Sequence, residues 1–394
     1  MRDGGVGDAD LPAGGRSKNS RQCYCHCWQY GRNRYSGETL TVTNGVESIG
    51  NNATGIRAVD DTEVAIGKDI YVHGANSQYN NSYGVYGDSG VQVRVGTDIV
   101  VESDAGAERV RGIYIDGGYG SSISSTPDIQ VGGNISASGI NTIGIYVSGK
   151  NANIKVDGNV TASNRNATGI TTGGTSKIYV GGDVISSYDN NGTLSYGISV
   201  EAGNDSYVEV AGNIVASGKL TSGVRMGGSG TNKQIKVGKS VVAGGELSKG
   251  IDTNGDGVSA YVAGDVTANG KSSLGIIVQN DAQVTVDGNL KASGEGAKGV
   301  ELRDGSSVTV GKNIEVSGTE AIGINVDRWN VSGSGIEINV GGSFIVSGDD
   351  SYGIYTGTTK NTALKVNITD NLVVSSTNSS TQSGGLSFRL YATG

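Results

Sequence analysis

Proline and phenylalanine are nearly missing from this chain, with two residues of each among 394. The shortage of proline excludes a proline-rich linker protein, and no Gly-X-Y period is present, which excludes a collagen-like helix. Charged residues make up only 17%, too few for a disordered polyelectrolyte. No apolar run reaches the ~18 residues that a membrane-spanning helix requires. The net charge is −8, and no basic stripe offers a footprint for phosphates, so nucleic acid is excluded as a partner. All three cysteines, Cys23, Cys25 and Cys27, lie in the first 27 residues. A cysteine-free remainder suits an exported bacterial protein and a cytosolic one alike.

Glycine is abundant, at 68 residues, and the apolar 35% is dominated by valine, isoleucine and alanine at period-2 spacing. That combination argues against two ordinary cores and directs attention to repeats. The stretch Gln283 to Gly318 carries one unit and most of the next: Val284-Thr285-Val286 returns as Val308-Thr309-Val310, and Ala292-Ser293-Gly294 as Val316-Ser317-Gly318, each 24 residues on.

Every unit has three short segments. A Gly-Ile or Gly-Val segment recurs at Ile56, Val85, Ile113, Ile145, Ile170, Ile198, Val224, Ile251, Ile276, Val300, Ile324 and Ile354. A Val-x-Val segment follows, such as Ile154-Lys155-Val156, and after a corner an Ile-x-Ala segment, such as Ile135-Ser136-Ala137. Alternation sends the flanking apolar residues to one face and the middle residue to the other. The segments are too short for independent hairpins and leave no room for a crossover helix. Each unit therefore reads as one turn of a coil whose segments pair with their equivalents in the next turn. The expectation is an all-β fold: a single parallel β-helix (β-solenoid) of about twelve three-strand coils, spanning residues 38–374. Residues 1–37 read as a polar leader or disordered tail, and 375–394 as the truncated continuation of the rod, whose edges invite end-to-end association. The Cys23–Cys27 knot with His26 lacks the spacing to wrap a tetrahedral metal.

The residue closing the corner before the Ile-x-Ala segment is almost always Asn or Asp: Asn134, Asn159, Asp183, Asn213, Asp265, Asn289 and Asn313 are examples. Both types tolerate tight corners and bond locally, so this column reads as a structural ladder.

The grammar Gly-Ile-x-Val, Val-x-Val-x-Gly-Asn-Ile, Ala-Ser-Gly resembles the passenger regions of bacterial autotransporters and haemagglutinin-like adhesins, over Glu38 to Val374. The resemblance implies a right-handed coil. It also implies display at a bacterial cell surface or secretion, with outer-membrane association where a translocator barrel follows in the full-length chain. The implied partner is a glycan or protein on a host or neighbouring cell.

Three features bear on chemistry. Tyr86, Tyr114 and Tyr146 occupy the same outward position in three successive units, a candidate platform for a sugar ring or a simple cover for the flank. Asp252, Asn254 and Asp256 match the opening of a calcium loop, although Ala263 stands where its bidentate glutamate belongs. No other cofactor is indicated. The outward Val-x-Val column (Arg94, Gln130, Lys155, Tyr179, Glu209, Lys236, Tyr261, Thr285, Thr309) puts no carboxylates on adjacent coils, and His73 is the one histidine in the repeat. No catalytic residue is assigned. The expectation is an adhesin-like, non-catalytic role; the alternative is a β-helix polysaccharide lyase or glycoside hydrolase.

Overall fold

The structure is a computed structural model that describes residues 38–59, 61–74, 81–104, 109–116, 125–148, 151–187, 194–303, 305–326, 335–356 and 364–376. The leader 1–37, with Cys23, Cys25, Cys27 and His26, lies outside the described residues, as do 377–394.

The described residues form strands and turns with no helix, and the strands sort into three parallel sheets of 13, 13 and 12. The Val-x-Val sheet runs from Thr39–Val42 to Leu364–Ile368, the Ile-x-Ala sheet from Val46–Gly50 to Leu372–Ser375, and the Gly-Ile sheet from Thr54–Ala58 to Tyr352–Thr356. Each strand pairs with the strand three places on, so the chain circles through the sheets once per coil. This is the expected parallel β-solenoid. Twelve strand steps at about 4.8 Å give a stack roughly 58 Å long.

The register bears out the repeat. Ile56, Val85, Ile113, Ile145, Ile170, Ile198, Val224, Ile251, Ile276, Val300, Ile324 and Ile354 are paired in unbroken succession. The inward columns of all three sheets meet in one core of valine, isoleucine and alanine, nearly all fully buried. No single coil could exclude water from its own apolar face, so the stack is the unit of stability.

The Gly-Ile strands depart from strict alternation. In Ile143–Ser148 the glycine and the isoleucine after it both face inward. The outer positions are therefore the residue before the glycine and the second residue after it. Steric room explains the glycine. A Cβ on Gly250 would lie 2.5 Å from the carbonyl oxygen of Gly275 and 2.6 Å from Val266 Cγ1. Here the Gly-Ile sheet closes against the Ile-x-Ala sheet. Phe344 uses the same gap: its ring is fully buried and lies where a Cβ on Gly323 would be.

A second constraint sits at the corner leading into the Gly-Ile sheet. Gly218, Gly245 and Gly270 hold φ of 127°, 121° and 125°, and two residues later Leu220, Leu247 and Ser272 sit at φ 60°, 59° and 54°. A leucine in that left-handed region costs about 1–2 kcal/mol, which the surrounding register imposes.

Gly250→Ala is expected to destabilise the chain by about 2–3 kcal/mol, because backbone must shift to admit the methyl. Gly227→Ala, whose added Cβ meets nothing within 4 Å, should stay within about 0.5 kcal/mol of wild type. Urea midpoints followed by circular dichroism compare the two.

Candidate functional site

In-register pairing sets each outward side chain of the Gly-Ile sheet directly above its equivalent. One outer column runs Arg57, Tyr86, Tyr114, Tyr146, Thr171. The three expected tyrosines do come together: the Tyr86 and Tyr114 ring centroids are 5.3 Å apart at 35°, and Tyr114 and Tyr146 are 5.4 Å apart at 7°. The second outer column adds Tyr83 and Arg111, which are themselves paired. Tyr83 lies 5.6 Å edge-on from Tyr86 and 5.3 Å from Tyr114. Arg57 caps the stack with its guanidinium 4.7 Å from the Tyr86 centroid, and that of Arg111 is 5.1 Å from the Tyr146 centroid. All four tyrosines are half-buried, whereas Arg57 and Arg109 are exposed.

Sequence reasoning found the middle of this patch and missed Tyr83, Arg57, Arg109 and Arg111. Tyr83 and Arg111 immediately precede the signature glycines Gly84 and Gly112. Strict alternation turns that position inward, and the double-inward Gly-Ile step turns it out.

The faces of Tyr86 and Tyr114 are taken up by neighbouring rings and Arg57, so the patch presents ring edges and hydroxyls. The Tyr86 hydroxyl donates to an Asp116 carboxylate oxygen at 2.9 Å. Burial, and then the bond to Asp116, push its phenol well above the usual tyrosine range. Burial also raises Tyr83 and Tyr114. These three phenols are neutral donors at physiological pH.

The calcium-loop candidates are placed differently. Asp252 and Asn254 belong to the strand Lys249–Asn254 and pair in register with Ile277 and Gln279. The Asp252 carboxylate meets Lys249 Nζ at 2.7 Å. Asn254 Oδ1 accepts from Asn280 Nδ2 at 2.5 Å, and Asp256 stands exposed in the following turn. Extended backbone and prior partners thus engage two of the three expected oxygens. Among the described residues, no group of three or more His, Cys, Asp or Glu side chains is spaced to hold a metal ion.

The corner column forms a continuous ladder. Asn134 Oδ1 accepts from the backbone N–H of Asn159 at 2.9 Å, Asn159 Oδ1 from Asp183 at 2.7 Å, and Asp183 Oδ1 from Asn213 at 2.7 Å. Higher up, Asp265 receives the N–H of Asn289 at 2.7 Å, Asn289 that of Asn313 at 3.2 Å, and Asn313 that of Ser343 at 2.8 Å. Ser240 does the same work through its hydroxyl, accepting from the Asp265 N–H at 3.1 Å. The side-chain oxygen replaces a backbone acceptor at the point where the sheet hydrogen bonding is interrupted.

Outside the patch, several charged groups are held by neighbours. Glu209 is held by Lys236 at 2.9 Å and by the Tyr207 hydroxyl at 2.9 Å. His73 Nε2 lies 3.2 Å from Asp104. Glu301, only 5% exposed, is bound by Lys298 at 3.0 Å, Arg303 at 2.9 Å and Asn325 Nδ2 at 3.1 Å. Burial alone would raise its carboxyl, but Lys298, Asn325 and Arg303 outweigh it and hold the group below the ordinary glutamate range. Lys233 is fully buried, with its ammonium 2.5 Å from the Gly227 carbonyl and 3.4 Å from those of Glu201 and Gly228.

No known protein family, curated protein or solved structure matches this chain.

Two stability predictions follow from these contacts. Asn289→Ala should cost about 1–3 kcal/mol by leaving the Asn313 N–H without its acceptor. Asn289→Ser, which keeps an oxygen there as Ser240 does, should recover part of that loss in the same urea titration. For Glu301 the folded carboxyl titrates below the unfolded one. Its stabilisation is therefore complete above the unfolded value and lost as pH falls through the folded value. Glu301→Gln should flatten that acid-side decline in melting temperature.

Proposed function

We propose that the chain is a surface-exposed or secreted bacterial β-solenoid with an adhesin-like, non-catalytic role. It holds a contact patch at fixed geometry and needs no cofactor. The observation that carries the reading is the convergence of Arg57, Tyr83, Tyr86, Arg111, Tyr114 and Tyr146 on the outer face of four successive strands in the Gly-Ile sheet. Tyrosine and arginine are the residue types that dominate contact energy at interfaces, because they combine large area, little conformational freedom and polar tips. A rigid parallel stack keeps them in place without a change of shape on binding, which limits the entropic cost. The repeat grammar, similar to that of autotransporter passengers, supports a location on the cell surface or in the medium. The partner is a glycan or protein on a host or neighbouring cell.

A chain carrying Tyr86→Ala and Tyr114→Ala, with its melting curve checked against wild type, is expected to bind cultured cells or immobilised glycans about tenfold more weakly, about 1.4 kcal/mol. Undiminished binding would move the contact elsewhere on the rod. Release of reducing ends or unsaturated sugars from the same glycans would favour the polysaccharide-cleaving alternative instead.

A further inference from the structure

The outward face of the Ile-x-Ala sheet takes no part in the contact reading above, and its chemistry differs from that of the other two faces. Alternation turns two columns of its strands outward. One runs Ser136, Thr161, Ile185, Val215, Val242 and Thr267, each paired in register with the next. Beside it runs the other: Ser138, Ser163, Ser187, Ser217, Gly244 and Asn269. These successive strands carry no outward charge, and no neutral run as long occurs on the described strands of the other two sheets. Ile185, Val215 and Val242 are partly exposed at its centre. Threonine, as at Thr161 and Thr267, suits an outward strand position equally well and leaves less apolar surface in water. Three aliphatic side chains in succession there favour a cover.

A second copy of the same face fits as that cover, and the charge pattern selects its orientation. A two-fold axis through Val215 and parallel to the strands sets two rods antiparallel, so each column faces its own equivalent in reversed order. Val215 then meets Val215 of the second copy, Ile185 meets Val242, and Thr161 meets Thr267. Beyond the neutral run, Lys291 meets Ser136 and Glu315 meets Val100. The corner column, one alternation before the aliphatic one, obeys the same order. Asp183 meets Ser240, Asp265 meets Asn159 and Asp98 meets Asn313, which puts each carboxylate opposite a hydrogen-bond donor. In these three columns no charge faces its like. An axis along the rod, over the aliphatic column, would instead set Lys291 against Lys291 and Glu315 against Glu315, which opposes pairing.

The sheet has 13 strands, each of four or five residues. At about 4.8 Å between strands and about 3.3 Å per residue they offer a partner roughly 750 Å². A standard interface takes about 800 Å² from each copy. We infer that two copies of the chain pair face to face through the Ile-x-Ala sheet, with the rods antiparallel about Val215. Ile185, Val215 and Val242 form the dry centre, and the Asn/Asp corner column forms a hydrogen-bonded rim. The pairing uses no residue of the tyrosine patch.

Sedimentation of the full chain from about 1 to about 200 µM is expected to show the mass rising from 40.0 kDa towards twice that value. Val215→Lys brings two ammonium groups together on the axis and should weaken association at least about tenfold, with the melting curve unchanged. Ile185→Lys and Val242→Glu should each weaken it as well. An equal mixture of those two variants should associate again, because the introduced ammonium meets the introduced carboxylate across the interface. A chain that stays monomeric throughout the range overturns the inference and leaves the contact reading standing. Association that survives Val215→Lys places the contact on another surface and overturns it too. Failure of the mixture to associate, where the wild type does, overturns the antiparallel pairing.

Discussion

Parallel, in-register stacking makes every position of this coil a column, and each side chain must tolerate a near copy of itself about 4.8 Å away. Inside, β-branched residues meet that demand by nesting, and the core is accordingly almost uniform. Outside, like charges cannot stack cheaply. Lys219 faces Glu246 at 3.0 Å, and on the next two coils Lys271 faces Glu295 at 2.8 Å. These pairs are close to half exposed, so each contributes at most about 1 kcal/mol. Their main effect is to avoid a repulsive column in a chain whose geometry would otherwise produce one.

The corner ladder answers the same demand for the backbone. Each corner interrupts the regular exchange of N–H and C=O groups, and a short side-chain oxygen restores the missing acceptor. Asparagine serves best, because its amide also donates: Asn134 Nδ2 reaches Asp98 Oδ1 at 3.1 Å, and Asn289 Nδ2 reaches Asp265 Oδ1 at 3.1 Å. Aspartates in this column are separated by neutral residues except where Asp98 follows Asp69. There the Thr97 hydroxyl and the Asp98 N–H hold the Asp69 carboxyl below the ordinary range. The ladder is thus a chain of surrogate peptide groups, and its composition follows from what one rung must do for the next.

This columnar logic explains why so much of the fold was legible. The spacing of Ile113, Ile145 and Ile170 specifies register directly, since equivalent residues must pair. What escaped the sequence was what the period does not repeat. The double-inward Gly-Ile step is set by a close approach between two sheets, which neither strand encodes alone, and it hid Tyr83 and Arg111. Lys233 occupies a buried corner position held by Ser206, Val258 and Ala282 in nearby coils, so no pattern announces an interior ammonium. The register also governs the Asp252–Asp256 stretch. A short motif matches a calcium loop, while the strand register that governs those residues extends the backbone and gives Asp252 to Lys249.

A uniform core leaves function to the departures from uniformity, and these differ in what they leave available. Lys233 is fully buried, and burial draws its ammonium below the ordinary lysine range while three carbonyls satisfy it. The Glu301 cluster is nearly as closed, with both carboxylate oxygens bonded. Each repairs the stack locally and has little left to offer a partner. The tyrosine–arginine patch is different in kind. Its rings stabilise one another by stacking, yet ring edges remain at its surface, at a spacing imposed by the coils beneath. Stacking order that serves stability inside the rod also fixes, on this one face, the spacing of the side chains it presents.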